Sequence, residues 1–273
     1  LGLWSRVDGL ERAALTRALE RRSVIQATLM RATIHLVSRA DYWPLTAAIR
    51  AERRAWWERT HNKQADPVQA RAAGKRLRAF LAGRPRRWKE IQERFGREDA
   101  LAAAQYVDIV RVPPSGTWEQ RRADLYGLAE EWVGPDEADE QEGLELLVRR
   151  YLRGFGPATP AEVADFGMVS IKRVRAALER MELRRFRGED GKEIVDLPRA
   201  PLPDPDTPAP PRFLPVWDAT LLVHARRTQI LPEEHRAKVF NVKTPNSVNT
   251  FLVDGQVAGT WRYDRDRIRI EPF

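Results

Sequence analysis

The chain has 273 residues, 42% hydrophobic and 32% charged, with 47 Lys or Arg against 39 Asp or Glu and a formal net charge of +8. That apolar content supports packed cores and excludes a disordered chain, and the length suits roughly two to four small domains. The absence of cysteine excludes a disulfide scaffold, a Cys-based zinc site and a thiol nucleophile, and no apolar run approaches the roughly 20 residues that span a bilayer.

From the N-terminus, residues 10–20 (LERAALTRALE) place Leu10, Ala14, Leu15 and Leu19 on one helical face. Residues 24–37 (VIQATLMRATIHLV) are rich in Val, Ile and Thr and alternate in part, as a β ribbon does. Arg31, Thr33 and His35 are then expected on one strand face. Such a face suits a backbone phosphate or a nucleotide, and equally a hydrogen-bonded structural histidine. Residues 40–60 read as a helix with Pro44 near its start, where proline is tolerated. A loose break at 61–67 (HNKQADP) precedes helical spacing at 67–82, 86–95, 98–107 and 119–132.

Residues 53–89 hold twelve Lys or Arg, with Trp56, Trp57 and Trp88 interleaved. Trp56 and Trp57 read as core, with arginines snorkelling over them. Arg86, Arg87 and Lys89 open a candidate helix, and arginine-rich helix starts meet phosphates readily. Gly134-Pro135 then begins an acidic connector, PDEADEQEG.

The strongest unit follows. After a helix over 143–153, Thr159 is a natural N-cap, Pro160 takes the first helical position and Glu162 the third, so a short helix covers 160–167. Ser170 caps a helix over 170–182 that carries Lys172, Arg173 and Arg175 early. Residues 183–197 read as a hairpin with Glu-Asp-Gly at its tip and Arg184, Arg185 and Arg187 on its first arm. Residues 170–187 contain seven Lys or Arg against two Glu. Helix, short helix, tight turn, basic helix and basic hairpin together make a winged helix-turn-helix, whose second helix enters a groove about 12 Å wide. The alternative is a solvated charged face on a helix that only packs.

An offset of 71 residues relates two stretches: Phe80 meets Tyr151, Leu81 meets Leu152, Gly83 meets Gly154, Phe95 meets Phe166 and Gly96 meets Gly167. A duplicated unit of this size suits a winged-helix array. Residues 198–215 hold eight prolines and are expected to be an extended spacer. The end of the chain, with Asp254-Gly255 between apolar runs, reads as an antiparallel meander. There is no Walker loop, Gly-rich dinucleotide turn, HExxH or GxSxG, and His61, His224 and His235 lack ligand spacing. No metal or cofactor is therefore expected.

The segments LWSRVDG, ATLMRATIHLV, YLRGFGPATPAEVADF, FLPVWDATLLVHARR and FLVDGQVAGTWR occur in this order. Together they resemble the winged helix DNA-binding family of AlkZ/YcaQ-type alkyl-DNA and crosslink-repair glycosylases. The resemblance runs from Leu3 to the C-terminus. It implies three tandem winged helices in a C-shaped body with a basic concave face, and excision of bulky alkylated purines. The wing at 183–197 and the hairpin around Asp254-Gly255 match elements the family uses against DNA. Its catalytic Gln-x-Gln or Gln-x-Asp motif lies upstream of the LWSRVDG segment. Residues 1–273, which begin with Leu and are expected to start part-way through a gene product, do not contain it. Gln26 is followed by Ala27 and Thr28 and does not reproduce it.

The expected fold is α+β, mostly α, with tandem winged helix-turn-helix units and a β-rich C-terminal lobe. The expected domains are an N-terminal helical segment with β ribbon (1–65), winged units at 66–134 and 142–198, a Pro-rich linker (199–215) and the C-terminal lobe (216–273). The expected partner is double-stranded DNA and not a membrane, in a bacterial, cytoplasmic, nucleoid-associated setting. The contacts fall to Arg31, Thr33, His35, Arg86, Arg87, Lys89, Lys172, Arg173, Arg175, Arg184, Arg185 and Arg187. The rival readings are a non-enzymatic DNA-binding or regulatory protein and a protein-interaction scaffold.

Overall fold

The computed structural model describes residues 2–61, 66–120, 123–223, 227–241 and 246–273. His224 and most of the 61–67 break lie outside them. The chain divides into two units, residues 11–200 and residues 1–10 with 201–273. It is a mixed α/β protein, and every strand pairing among the described residues is antiparallel.

In the larger unit, α1 (Arg12–Glu20) buries Leu19 and leads into β1 (Val24–Thr28) and β2 (Ile34–Ser38), paired from Val24↔Ser38 to Thr28↔Ile34. The ribbon is present, but Met30–Ala32 form a short 3-10 turn with Arg31 and Ala32 at φ of 54° and 52°. Arg31 therefore occupies the turn. The expectation that it shares a strand face with Thr33 and His35 fails, because the chain reverses between them.

Ser38 caps α2 (Arg39–Thr60) by accepting the Asp41 N–H at 3.1 Å. Pro44 is the sixth helical residue, one position deeper than expected, where its missing N–H removes one helical hydrogen bond. Trp57 is buried and Trp56 half-buried against Ala70 and Ala102, the core position anticipated for them.

Asp66 caps α3 (Pro67–Leu81), whose first residue is proline. Then come β3 (Arg86–Arg87), α4 (Trp88–Phe95), α5 (Arg97–Ala103), β4 (Ile109–Arg111), β5 (Leu125–Leu128) and the single turn α6 (Ala129–Trp132). The helix expected over 119–132 is thus mostly wrong; residues 121 and 122 lie outside the described set. Leu125–Leu128 carries a mid-segment glycine and a β-favouring tyrosine. Its backbone is satisfied by β4 on one side and β3 on the other, which outweighs weak helical spacing. The sheet runs β2-β1-β4-β5-β3. Leu77, Leu81, Ile91, Ala100 and Leu128 form the core beneath it.

Asp139 caps α7 (Glu140–Phe155), accepting the Gln141 and Glu142 N–H groups. α7 crosses α2 at Gly143, where a Cβ would run into the Pro44 carbonyl. α8 (Pro160–Gly167) begins with the expected capping box. The Thr159 N–H donates to Glu162 Oε2 at 2.8 Å, and the Glu162 N–H donates to Thr159 Oγ1 at 3.2 Å. Met168 turns the chain in the left-handed region into α9 (Ile171–Arg180), and β6 (Arg184–Arg187) and β7 (Glu193–Asp196) close a two-stranded hairpin. A bridge from Ala158 to Val195 ties that hairpin to the α7–α8 connection.

The order helix, extended segment, two helices, hairpin therefore occurs twice, over 67–128 and 140–196. In both copies the residues related by the 71-residue offset touch. Phe80 and Phe95 lie 5.8 Å apart, and Tyr151 and Phe166 lie 5.2 Å apart.

In the smaller unit the proline-rich stretch ends in an edge strand, β8 (Arg212–Leu214). After it come α10 (Ala219–Val223), α11 (Glu233–Val239), the short pair β9 (Phe240–Asn241) and β10 (Asn246–Ser247), then β11 (Thr250–Val253), β12 (Gln256–Asp264) and β13 (Arg267–Pro272). The last three form the predicted meander, and the sheet runs β13-β12-β11-β8. Leu214, Leu221, Leu231, Val239 and Val257 form its core. Arg6 grips the buried Asp218 carboxylate with both terminal nitrogens, at 2.5 and 3.0 Å. The motifs LWSRVDG and WDATLLV, far apart in sequence, thereby meet. Among the described residues no helix is long and apolar enough to cross a membrane.

Candidate nucleic-acid interface

In α9 the buried residues Val174, Ala177 and Leu178 recur at helical spacing and face the core. Lys172 and Arg175, three residues apart, fall on the opposite, exposed face. Arg173 does not join them. Its guanidinium lies 3.3 Å from Glu52 of α2 and 2.6 Å from Glu140 of α7. Glu52 also accepts the Ser170 N–H at 2.7 Å, so one carboxylate pins the start of α9 to α2. The sequence marks Arg173 as basic but gives no sign of Glu52, which lies 121 residues earlier.

Strand alternation divides the hairpin arginines. On β6, Arg184 and Phe186 are half-buried on one face, with the Arg184 guanidinium 5.1 Å over the Phe186 ring. Arg185 and Arg187 are exposed on the other face, and Arg185 also meets Glu193 at 2.7 Å. Lys172, Arg175, Arg185 and Arg187 are thus exposed on this repeat's third helix and hairpin, as are Arg180, paired with Glu145, and Lys192, paired with Asp190.

In the first repeat, Arg87 is exposed, and its N–H donates to Glu90 at the start of α4. Lys89 is exposed and lies 3.8 Å from Glu93. Arg86 is half-buried, stacked 4.6 Å over Phe80 and 3.8 Å from Glu90. Much of the basic stretch around them is engaged internally. Arg53 is buried, donating to the Thr28 carbonyl at 2.9 Å beside Asp108, and Arg54 donates to the Gln105 carbonyl at 2.8 Å.

The third group is brought together by the turn. Arg31 lies 5.2 Å over the Phe166 ring, and the His35 ring meets the same phenylalanine edge-on at 6.2 Å. Burial lowers the pKa of Arg31, and burial, aided by Arg31, lowers that of His35. His35 is therefore neutral at pH 7. Its Nδ1–H donates to the Thr33 carbonyl at 2.9 Å, which leaves Nε2 an acceptor. Thr33 is exposed, and its hydroxyl donates to the Met30 carbonyl at 3.1 Å. The partner that sequence reasoning missed is Phe166, visible only as half of the repeated aromatic pair. Gln26 is a structural element of β1: its carboxamide packs so closely on Gly116 that any Cβ there would collide with it.

Residues 1–273 match the family described as DNA glycosylase AlkZ-like. No curated protein matches the chain. Among solved structures it is similar to the Streptomyces sahachiroi DNA glycosylase AlkZ, at 19% identity and a TM-score of 0.79. The likeness covers 99% of this chain and 81% of that one, and at this identity it speaks for the fold. By the match over its whole length, the chain belongs to the AlkZ-like DNA glycosylase family.

Proposed function

We propose that this chain binds double-stranded DNA as part of a base-excising repair protein, and that its two repeats are winged helix-turn-helix units. The observation that carries the reading is α9 within an AlkZ-like DNA glycosylase: a third helix whose exposed face bears Lys172 and Arg175, followed by a hairpin arm bearing Arg185 and Arg187. Lys172 and Arg175 meet phosphates along the groove that α9 enters, while Arg185 and Arg187 sit over phosphates beside it. Arg173 and Arg184 hold the helix and hairpin in position. Arg86 and Arg87 of β3 with Lys89 of α4, and Arg31 with Thr33 and neutral His35 at the ribbon turn, give further contacts along the duplex.

The test is duplex affinity measured across a salt series. Each phosphate neutralised steepens the log–log salt dependence by about 0.9. Removing Lys172, Arg175 and Arg187 together should flatten the slope by about 2.7 and weaken binding on every duplex sequence alike. An affinity indifferent to salt, or unchanged by the triple variant, would falsify the reading.

A further inference from the structure

A cavity of about 430 Å³ opens in the first repeat, lined by Arg76, Ala79 and Phe80 of α3, Arg94 and Phe95 of α4, and Asp99 of α5. The second repeat has the equivalent seat at Tyr151 and Phe166, and there the seat is covered by Arg31 from the ribbon turn. By the 71-residue offset Arg94 corresponds to Asp165, so the charge beside the aromatic pair is reversed. A seat that receives a cation in one repeat is suited to an anion in the other.

Its remaining chemistry narrows the anion. Arg76, Arg94 and Asp99 are all exposed, and none of them forms an ion pair among the described residues. Phe80 and Phe95 meet edge to face, which leaves ring faces uncovered by the partner. The Arg86 guanidinium covers one side of Phe80, and another part of that ring lines the cavity. Uncovered aromatic faces beside two guanidinium groups are what hold an unstacked base and its phosphate in single-stranded nucleic acid. Asp99 adds an acceptor, which suits the exocyclic amino group of cytosine, whereas thymine presents the O4 acceptor at that position and repels a carboxylate. The volume falls in the range of small-ligand sites.

We propose that this cavity binds one unpaired nucleotide of single-stranded DNA. The base lies against Phe80 and Phe95, the phosphate meets Arg76 and Arg94, and Asp99 favours a base with an exocyclic amino group. An acidic peptide would engage the arginines but leave the rings unused and be repelled by Asp99. The site goes beyond duplex binding and stands on different residues.

Calorimetric titration of the full chain with 5′-phosphorylated deoxycytidine and deoxythymidine hexamers tests this. The cytidine hexamer should bind more tightly, and Asp99→Asn should erase that preference. Arg94→Glu, at an exposed position, and Phe80→Leu, which keeps apolar bulk in the core, should each weaken it roughly tenfold. Duplex affinity of Arg94→Glu should stay at the parent value, whereas Lys172→Ala with Arg175→Ala should lower duplex affinity and spare the hexamer. Failure of one site is thereby told from failure of the other. Equal hexamer binding by the parent and Arg94→Glu, a cytidine preference that survives Asp99→Asn, or tighter binding of hexaglutamate than of the cytidine hexamer would each overturn the proposal.

Discussion

The two repeats share an order of elements and a buried aromatic contact, yet their third helices carry opposite chemistry. α5 opens with Arg97, Glu98 and Asp99 and is seven residues long, while α9 opens with Lys172, Arg173 and Arg175 and runs for ten. Acids in a first turn suit the helix dipole and repel phosphate; a basic start does the reverse. The hairpins differ in the same sense. That of the first repeat is built into a five-stranded sheet through β1, while among the described residues that of the second pairs only with itself and the Ala158 bridge. The two copies share this packing and differ in their exposed groups. One copy serves as the hub of a sheet and the other keeps its third helix and hairpin available.

Four changes break or sharpen that contrast. The largest effect is expected from Lys172→Ala with Arg175→Ala in α9. Filter-binding or anisotropy titration should show roughly tenfold to hundredfold weaker duplex binding at low salt and a salt slope flatter by about 1.8. Glu98→Ala, at the corresponding helix of the first repeat, should leave duplex affinity near the parent value in the same assay.

Second in size is Gly143→Ala, where a new methyl group meets the Pro44 carbonyl of α2. Overpacking of this kind costs about 1–3 kcal/mol, so thermal unfolding should shift down by about 5 °C. Gly74→Ala in the first repeat places its Cβ 2.8 Å from the Cβ of Tyr106 and 3.4 Å from the Ala103 carbonyl, a looser fit than at Gly143, and should shift it less. Third, Glu52→Gln removes the charge that holds Arg173 and the Ser170 N–H. It should lower stability by about 1 kcal/mol in urea unfolding, and Arg173→Lys in the same background should add little.

The smallest effect is a pH dependence. The folded protein holds the pKa of His35 below its unfolded value, so the unfolded chain binds the extra proton first. The stability tied to His35 is present above the unfolded value of about 6.5 and is lost as pH falls below it. Stability should decline on acidification through this window in the parent, and decline less in His35→Gln.

Local rules made the second repeat legible. Thr159, Pro160 and Glu162 form a cap whose partners all lie within four residues, and the spacing of Val174, Ala177 and Leu178 declares the buried face of α9. The repeated aromatic pair was also readable, because an offset needs no knowledge of contacts. What escaped was set by distant residues. Leu125–Leu128 became a strand because β3 and β4 lay on either side to pair with it. Arg31 left the strand because residues 30–32 turn and set it on Phe166, 135 positions away. Among the basic residues, sequence could not tell Arg173, spent on Glu52 and Glu140, from Lys172 beside it.

Hydrogen–deuterium exchange of the chain, with and without a short blunt duplex, tests the division between the repeats most directly. Peptides spanning 171–187 should gain protection on adding DNA while those spanning 97–103 stay unchanged. Protection over 97–103 with none over 171–187 would contradict it.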